Sequence, residues 1–146
     1  MIAISKNSKL PNLYNCSIAI IGIGYVGLPL AIRFTKVKSC FSTNKKFKRN
    51  IIGFDINKKR VEELKNGHDR TNELTNEELL ELKNIQFTSN ELDLLKADVF
   101  IVTVPTPVDE NNNPDLTITI NACKTVAKAL KGKETDSSTS KPVIIF

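Results

Sequence analysis

The first 54 residues contain no acidic side chain at all, although they carry nine Lys and Arg. From residue 55 onward, twelve Lys/Arg face sixteen Asp/Glu, so the overall charge of +5 is local in origin. The excess is concentrated in KVKSCFSTNKKFKRN, residues 36–50. That segment lacks the aromatic interleaving and framing motifs of nucleic-acid modules, and it reads as a solvated, lysine-rich connecting loop. Histidine is nearly absent, with His68 alone, and the three cysteines Cys16, Cys40 and Cys123 form no C-x-x-C pair. This scarcity gives no metal-ligand spacing and no disulfide framework, and it suits a reducing cytoplasm.

Long apolar runs are also missing. The nearest approach is CSIAIIGIGYVGLPLAIRF, inside an uncharged stretch from Leu10 to Ile32. A spanning helix needs about 20 apolar residues. Here Pro11, Asn12, Asn15, three glycines and Pro29 interrupt the run, and no small-x-small cleavage site precedes Arg33. Membrane crossing and export are therefore not expected.

What is present suits one compact domain: 146 residues, 40% hydrophobic, enough for a core. SIAIIGIG reads as a strand buried on both faces, and residues 25–36 follow with helical spacing at Val26, Leu30 and Phe34. Pro29 falls near the first helical turn, where a missing N–H costs little. NIIGFD (50–55) is a second strand, and residues 57–67 a helix stopped by Gly67. Thr75 and Glu78 have capping-box spacing, so a further helix starts there. IQFTS is a weak strand, NELDLLKA a short helix capped by Asn90, and DVFIVTV (98–104) an apolar strand. A helix begun by Asp115 and closed by Gly132 places Ile118, Ala122, Val126 and Ala129 on one stripe. The polar loop KETDSSTSK leads to a last strand, PVIIF, with no helix after it, which predicts a domain cut short at Phe146. Strands alternating with helices predict an α/β fold with a parallel sheet. Residues 1–15 read as an N-terminal extension, and no second domain is expected within 1–146.

Gly22, Gly24 and Gly27 form G-x-G-x-x-G at a strand-to-helix junction. Gly22 would permit the tight turn, Gly24 the approach of a pyrophosphate, and Gly27 the packing of helix on strand. N–H groups of the first turn, those of Tyr25 and Val26 among them, would face the phosphates. Asp55 ends the next strand, where a carboxylate accepts ribose hydroxyls and repels a 2′-phosphate, favouring NAD over NADP. Lys58, Lys59 and Arg60 could instead pair with such a phosphate, and Asp55 could simply cap the following helix. The 28 residues from Gly27 to Asp55 exceed the usual interval of about 20, and the basic loop accounts for the excess. Thr106, in VPTP at the carboxyl edge of the fourth strand, reads equally as a cofactor contact or part of a rigid loop.

Taken in order, IAIIGIGYVGLPLA, IIGFDINKKRVEELKNGHDRT and DVFIVTVPTPVDENNNPDLT resemble the amino-terminal domain of the UDP-glucose/GDP-mannose dehydrogenase family. GHDRT and ELTNEELLE look most like the branch that oxidises UDP-N-acetylglucosamine or UDP-N-acetylgalactosamine at C6. The resemblance covers nearly the whole chain from Ser17, and the extra residues around 38–49 depart from it. It implies a Rossmann-type α/β fold, a parallel sheet with helices on both faces. It further implies NAD as cofactor, the pyrophosphate at Gly22 to Gly27, the ribose at Asp55, and cofactor contacts from Arg60 and Thr106. His68 matches a motif position without an implied catalytic role.

Members of the family oxidise an alcohol to an acid in two NAD-dependent steps, the second through a thioester on a cysteine in a Gly-Gly-x-Cys setting. None of the three cysteines here has that setting, and PVIIF stops before the family's Glu-Ser-Thr-Val segment. No catalytic residue and no metal site is therefore expected in this chain. The UDP-sugar would be met by a further domain, and complete family members are expected to be homo-oligomers supplying uronic acids for surface polysaccharide. Two other readings are another NAD-dependent hydroxyacid-type dehydrogenase and a non-catalytic NAD-binding module.

Overall fold

In the computed structural model, the described residues are 10–133 and 140–146. Most of the N-terminal extension and of the polar loop before the last strand lie outside them. Five strands, β1 (Ser17–Ile21), β2 (Asn50–Phe54), β3 (Ile85–Thr88), β4 (Val99–Val102) and β5 (Val143–Ile145), form one parallel sheet in the order β3-β2-β1-β4-β5. The helices are α1 (Gly27–Lys36), α2 (Lys58–Lys65), α3 (Asn76–Leu79) and α4 (Thr117–Lys133), with 3-10 turns at Leu80–Asn84 and Glu91–Lys96.

Alternation along β1 divides the core between the two faces of the sheet. Ile18 and Ile20 meet Leu28, Ala31 and Ile32 of α1 and Val61 and Leu64 of α2 on one side. Ala19 and Ile21 share the other with Leu94, Ala97 and the α4 residues Ala122, Val126 and Ala129. Both faces are covered, which is why β1, β2 and β4 read as nearly unbroken apolar runs.

Element ends follow local chemistry. The first strand stops at Ile21 rather than running on to Gly24, because Gly22 takes a φ of 92° and turns the chain away. Asn57, not Asp55, caps α2 by accepting the Arg60 N–H at 3.2 Å. Gly67, at φ 76°, ends that helix: its N–H donates to Leu64 O and the next, that of His68, to Glu63 O. The Thr75–Glu78 capping box forms, but the helix tightens into a 3-10 turn after one turn. Asp115 accepts the Thr117 N–H at 2.9 Å at the start of α4. Gly132 was expected to stop α4, yet the helix continues to Lys133; a Cβ there would strike Leu95, so the glycine serves packing.

The basic segment is more ordered than a solvated loop. Residues 37–49 fold back as a small hairpin, with an antiparallel bridge between Ser39 and Lys46 and Asn44 at φ 54° in its turn. Its base stacks Phe47 on Tyr14, ring centroids 5.8 Å apart, while Arg49 lies 3.5 Å from the Phe47 centroid and Lys45 4.3 Å from that of Tyr14.

Gly53, in β2, has no room for a side chain: an added Cβ would lie 2.5 Å from Ile23 Cδ1 and 2.9 Å from Phe87 Cδ1. Gly53→Ala should therefore overpack the core and lower stability by about 1–3 kcal/mol, seen as a lower denaturation midpoint in urea. An unchanged midpoint would mean that this core yields freely.

Candidate functional site

The strand order reverses direction between β1 and β4, whose following helices pack on opposite faces. The loops leaving their carboxyl ends therefore diverge and open a cleft. It encloses about 390 Å³, with Gly22, Gly24, Tyr25 and Val26 on one side, Asp55 and Ile56 at the end of β2, and Thr103, Val104 and Pro105 after β4. From α4, Ile118, Asn121, Ala122 and Thr125 supply the far wall.

The three glycines do different work. Gly22 is the turn, and its N–H donates to Phe54 O at 2.8 Å, tying β1 to β2. Gly27 opens α1 directly over that turn; a Cβ on it would collide with the Gly22 carbonyl and come within 2.6 Å of Thr103 Oγ1. Gly24 is unconstrained by the protein, since nothing lies within 4 Å of where its Cβ would be. Its missing side chain leaves cleft space open beside Tyr25 and Val26, just before the helix, where backbone N–H groups have no intrahelical acceptor.

Between Gly22 and Gly24, the peptide groups of the buried Ile23 are gripped at both ends. Asp55 Oδ2 accepts the Ile23 N–H at 3.0 Å, while Asp55 Oδ1 accepts the Asn57 N–H at 2.9 Å. Each oxygen retains a further lone pair, and Asp55 lines the cleft half-buried. The Ile23 carbonyl accepts Arg60 Nε–H at 3.1 Å. Arg60, expected to touch the cofactor, has a different place here: it is buried, lies outside the cleft lining, and is spent on holding this turn. Its Nη2 donates to Asp69 Oδ1 at 2.8 Å, an ion pair with both side chains almost fully enclosed.

Asp69 is the buried residue of GHDRT, and His68 beside it is exposed. The carboxylate of Asp69 also accepts from Thr71 Oγ1 at 2.6 Å, the Thr71 N–H at 3.1 Å and the Glu73 N–H at 3.0 Å. Burial would raise its pKa, but the hydrogen bonds from Thr71 and Arg60 outweigh that and hold it below the usual carboxylate value.

Thr103 completes the frame, donating its hydroxyl to Gly22 O at 2.8 Å. A polar residue closing an otherwise apolar strand was its signal in the sequence. Thr106 stands exposed, one residue past the lining Pro105. Ile118, Asn121 and Thr125 escaped notice as cleft residues, because a helical stripe does not reveal which of its turns overhangs the sheet. Among the described residues, no three His, Cys, Asp or Glu side chains converge as a metal site would require.

Residues 16–143 match the model of the UDP-glucose/GDP-mannose dehydrogenase family, NAD binding domain. The chain is 48% identical over 116 residues to Protein CapL of Staphylococcus aureus, covering 80% of this chain and 24% of that protein. It is 47% identical over 114 residues to the UDP-N-acetyl-D-glucosamine 6-dehydrogenase of Pseudomonas aeruginosa, covering 78% and 24% respectively. Among solved structures, the UDP-D-ManNAc dehydrogenase of Pyrococcus horikoshii superposes with a TM-score of 0.63 at 28% identity, over 77% of this chain and 25% of that one. The chain thus spans about a quarter of the length of these relatives.

The glycines separate binding from folding. Gly24→Val should leave unfolding unchanged and weaken NAD at least about tenfold, ~1.4 kcal/mol by calorimetry. Gly27→Ala should instead destabilise the fold by about 1–3 kcal/mol. Equal NAD affinity in a folded Gly24→Val chain would remove the phosphate from this turn.

Acid stability offers a second check. Because the folded pKa of Asp69 is lowered, its contribution is complete above the ordinary carboxylate value and lost as pH falls through the folded value. Asp69→Asn should lower the melting temperature at neutral pH, with the gap to wild type closing in acid. A gap independent of pH would show that the charge does not matter.

Proposed function

The chain belongs to the UDP-glucose/GDP-mannose dehydrogenase family, and on that premise we propose that it holds NAD for a nucleotide-sugar 6-dehydrogenase. The open space at Gly24, facing the free lone pairs of Asp55 across one cleft, carries this reading. Backbone N–H groups at Gly24, Tyr25 and Val26 would receive the pyrophosphate, with Gly22 and Gly27 shaping the turn and Thr106 reaching in from the rim. Asp55 would accept the adenosine ribose hydroxyls, and exposed Ile56 with Val104 and Ile118 would flank the adenine. Arg60 acts as a positioning residue through Ile23 O. Bound NAD supplies a hydride acceptor; the chain's own part is to bind and orient it.

Two features favour NAD over NADP. Asp55 would set a carboxylate against a 2′-phosphate, and Arg60 is committed to Asp69 rather than free to neutralise one. Lys58 and Lys59 remain exposed on α2. The whole protein would oxidise the C6 alcohol of a UDP-sugar to the carboxylate in two NAD-dependent steps, with UDP-N-acetylglucosamine the first substrate to try. That choice rests on the 47% identity to the Pseudomonas enzyme of that name. Free thiols at Cys16, Cys40 and Cys123 are in keeping with a reducing cytoplasm.

The 146-residue chain should bind NAD more tightly than NADP, and Asp55→Asn should narrow the difference. It should produce no steady NADH from UDP-N-acetylglucosamine, since it provides one wall of a crevice and hydride transfer needs both reactants fixed in contact. Calorimetry and absorbance at the NADH band test the two claims separately. Tighter binding of NADP would overturn the role of Asp55, and sustained turnover by the purified chain would overturn the division of labour.

A further inference from the structure

The cofactor cleft uses the carboxyl ends of the strands, whereas the basic hairpin lies at the opposite edge. α1 leaves the carboxyl end of β1 and returns the chain to the amino end of β2, and residues 37–49 fill that return. The hairpin therefore stands clear of the cleft and is free for another task.

Its construction is unlike that of a slack linker. Cys40 N–H donates to Lys45 O at 2.9 Å and Phe47 N–H to Lys38 O at 2.8 Å, so the tip 41–44 is held at a fixed place. Lys48 N–H donates to Tyr14 O at 2.7 Å and Arg49 Nε–H to Leu13 O at 3.0 Å, so the base is anchored to the segment before β1. On this rigid stalk Phe41 is fully exposed, an apolar ring offered to solvent. On the same hairpin Lys38, Lys45, Lys46 and Lys48 are all exposed, and no acidic residue occurs between 36 and 50. Among the described residues, Glu78 pairs with Lys36 at 3.0 Å, Glu81 is close to Lys36 and Lys38, and Asp98 and Arg49 both act on Cys16 at the base. Lys46 and Lys48 have no carboxylate partner among the described residues.

We propose that this hairpin docks the protein on an anionic lipid surface, Phe41 entering the headgroup layer and the exposed lysines of the hairpin meeting lipid phosphates. The pairing of one apolar tip with exposed lysines on the same hairpin fits such a surface in sign. Lysine suits it as a point charge on a flexible stem, which needs no fixed geometry in its partner. Single-stranded nucleic acid fits less well. Binding of that kind uses a succession of aromatic faces open to stacking, whereas here Phe41 offers one and Tyr14 and Phe47 are stacked on each other and covered by Lys45 and Arg49. Contact of this kind is peripheral; among the described residues no helix is long and apolar enough to cross a membrane. With the hairpin docked, the cleft at the other edge of the sheet stays open to solution.

Co-sedimentation of the 146-residue chain with vesicles tests the proposal. It should bind vesicles containing phosphatidylglycerol and phosphatidylcholine, release them as salt is raised, and ignore phosphatidylcholine alone. Lys46→Glu with Lys48→Glu should weaken binding at least about twentyfold, and Phe41→Ser severalfold, with NAD affinity unchanged in both. The chain has no tryptophan, so Phe41→Trp provides a single tryptophan, excited apart from the two tyrosines, whose emission should shift to the blue on phosphatidylglycerol vesicles. No binding to the anionic vesicles, binding that survives the charge reversal, or unshifted emission from bound Phe41→Trp would each overturn it. So would preferential capture by a single-stranded oligonucleotide added in competition.

Discussion

The peptide groups on either side of Ile23 are the point on which the site depends. Asp55 takes the N–H and Arg60 donates to the carbonyl, so a loop of small residues is fixed by two side chains that come from β2 and α2. Glycines alone would leave this turn too free to present its N–H groups in one geometry. The two anchors remove that freedom, and each is itself held: Asp55 by Asn57, Arg60 by Asp69. GHDRT thus matters to the cleft although none of its residues lines it. Asp69 orients the arginine, and the arginine orients the turn.

A buried ion pair is costly unless its remaining polar atoms are satisfied. Asp69 meets this condition through four donors, from Arg60, the Thr71 hydroxyl and two backbone N–H groups. Arg60 does so through Ile23 O and Asp69, although its Nη1 has no partner among the described residues. The same arrangement keeps the guanidinium out of the cleft, so that Asp55 lines it unopposed by Arg60. The order of the turn and the polarity of the cleft are therefore linked through one side chain.

The cleft carries Asp55 and apolar side chains at the carboxyl ends of the strands, while the lysine-rich hairpin lies at the amino ends. Cation–π contacts at Tyr14 and Phe47 brace the segment between α1 and β2, which stands as an ordered hairpin. Nothing in the packing of the two core faces requires it, since the residues of the hairpin lie outside both clusters except where Phe34 and Cys16 meet its base.

The sequence by itself determined the parallel α/β sheet, the positions of nearly every element and the glycine turn with its acid. These depend on periodicity, capping chemistry and backbone freedom, which act over a few residues and so are written locally. Asn90, Thr75 and Gly67 punctuate the chain as their chemistry dictates. Tertiary structure alone decided that Arg60 faces inward to Asp69, that Thr103 locks Gly22, and that Asn121 and Thr125 overhang the cleft. It also turned Gly132 from a stop signal into a packing position and a lysine-rich loop into an ordered hairpin. In each of these cases the deciding partner lies on another element or across a turn. Which partner a side chain meets is fixed by the crossing of helices and strands, and a pattern read along one segment does not carry that information.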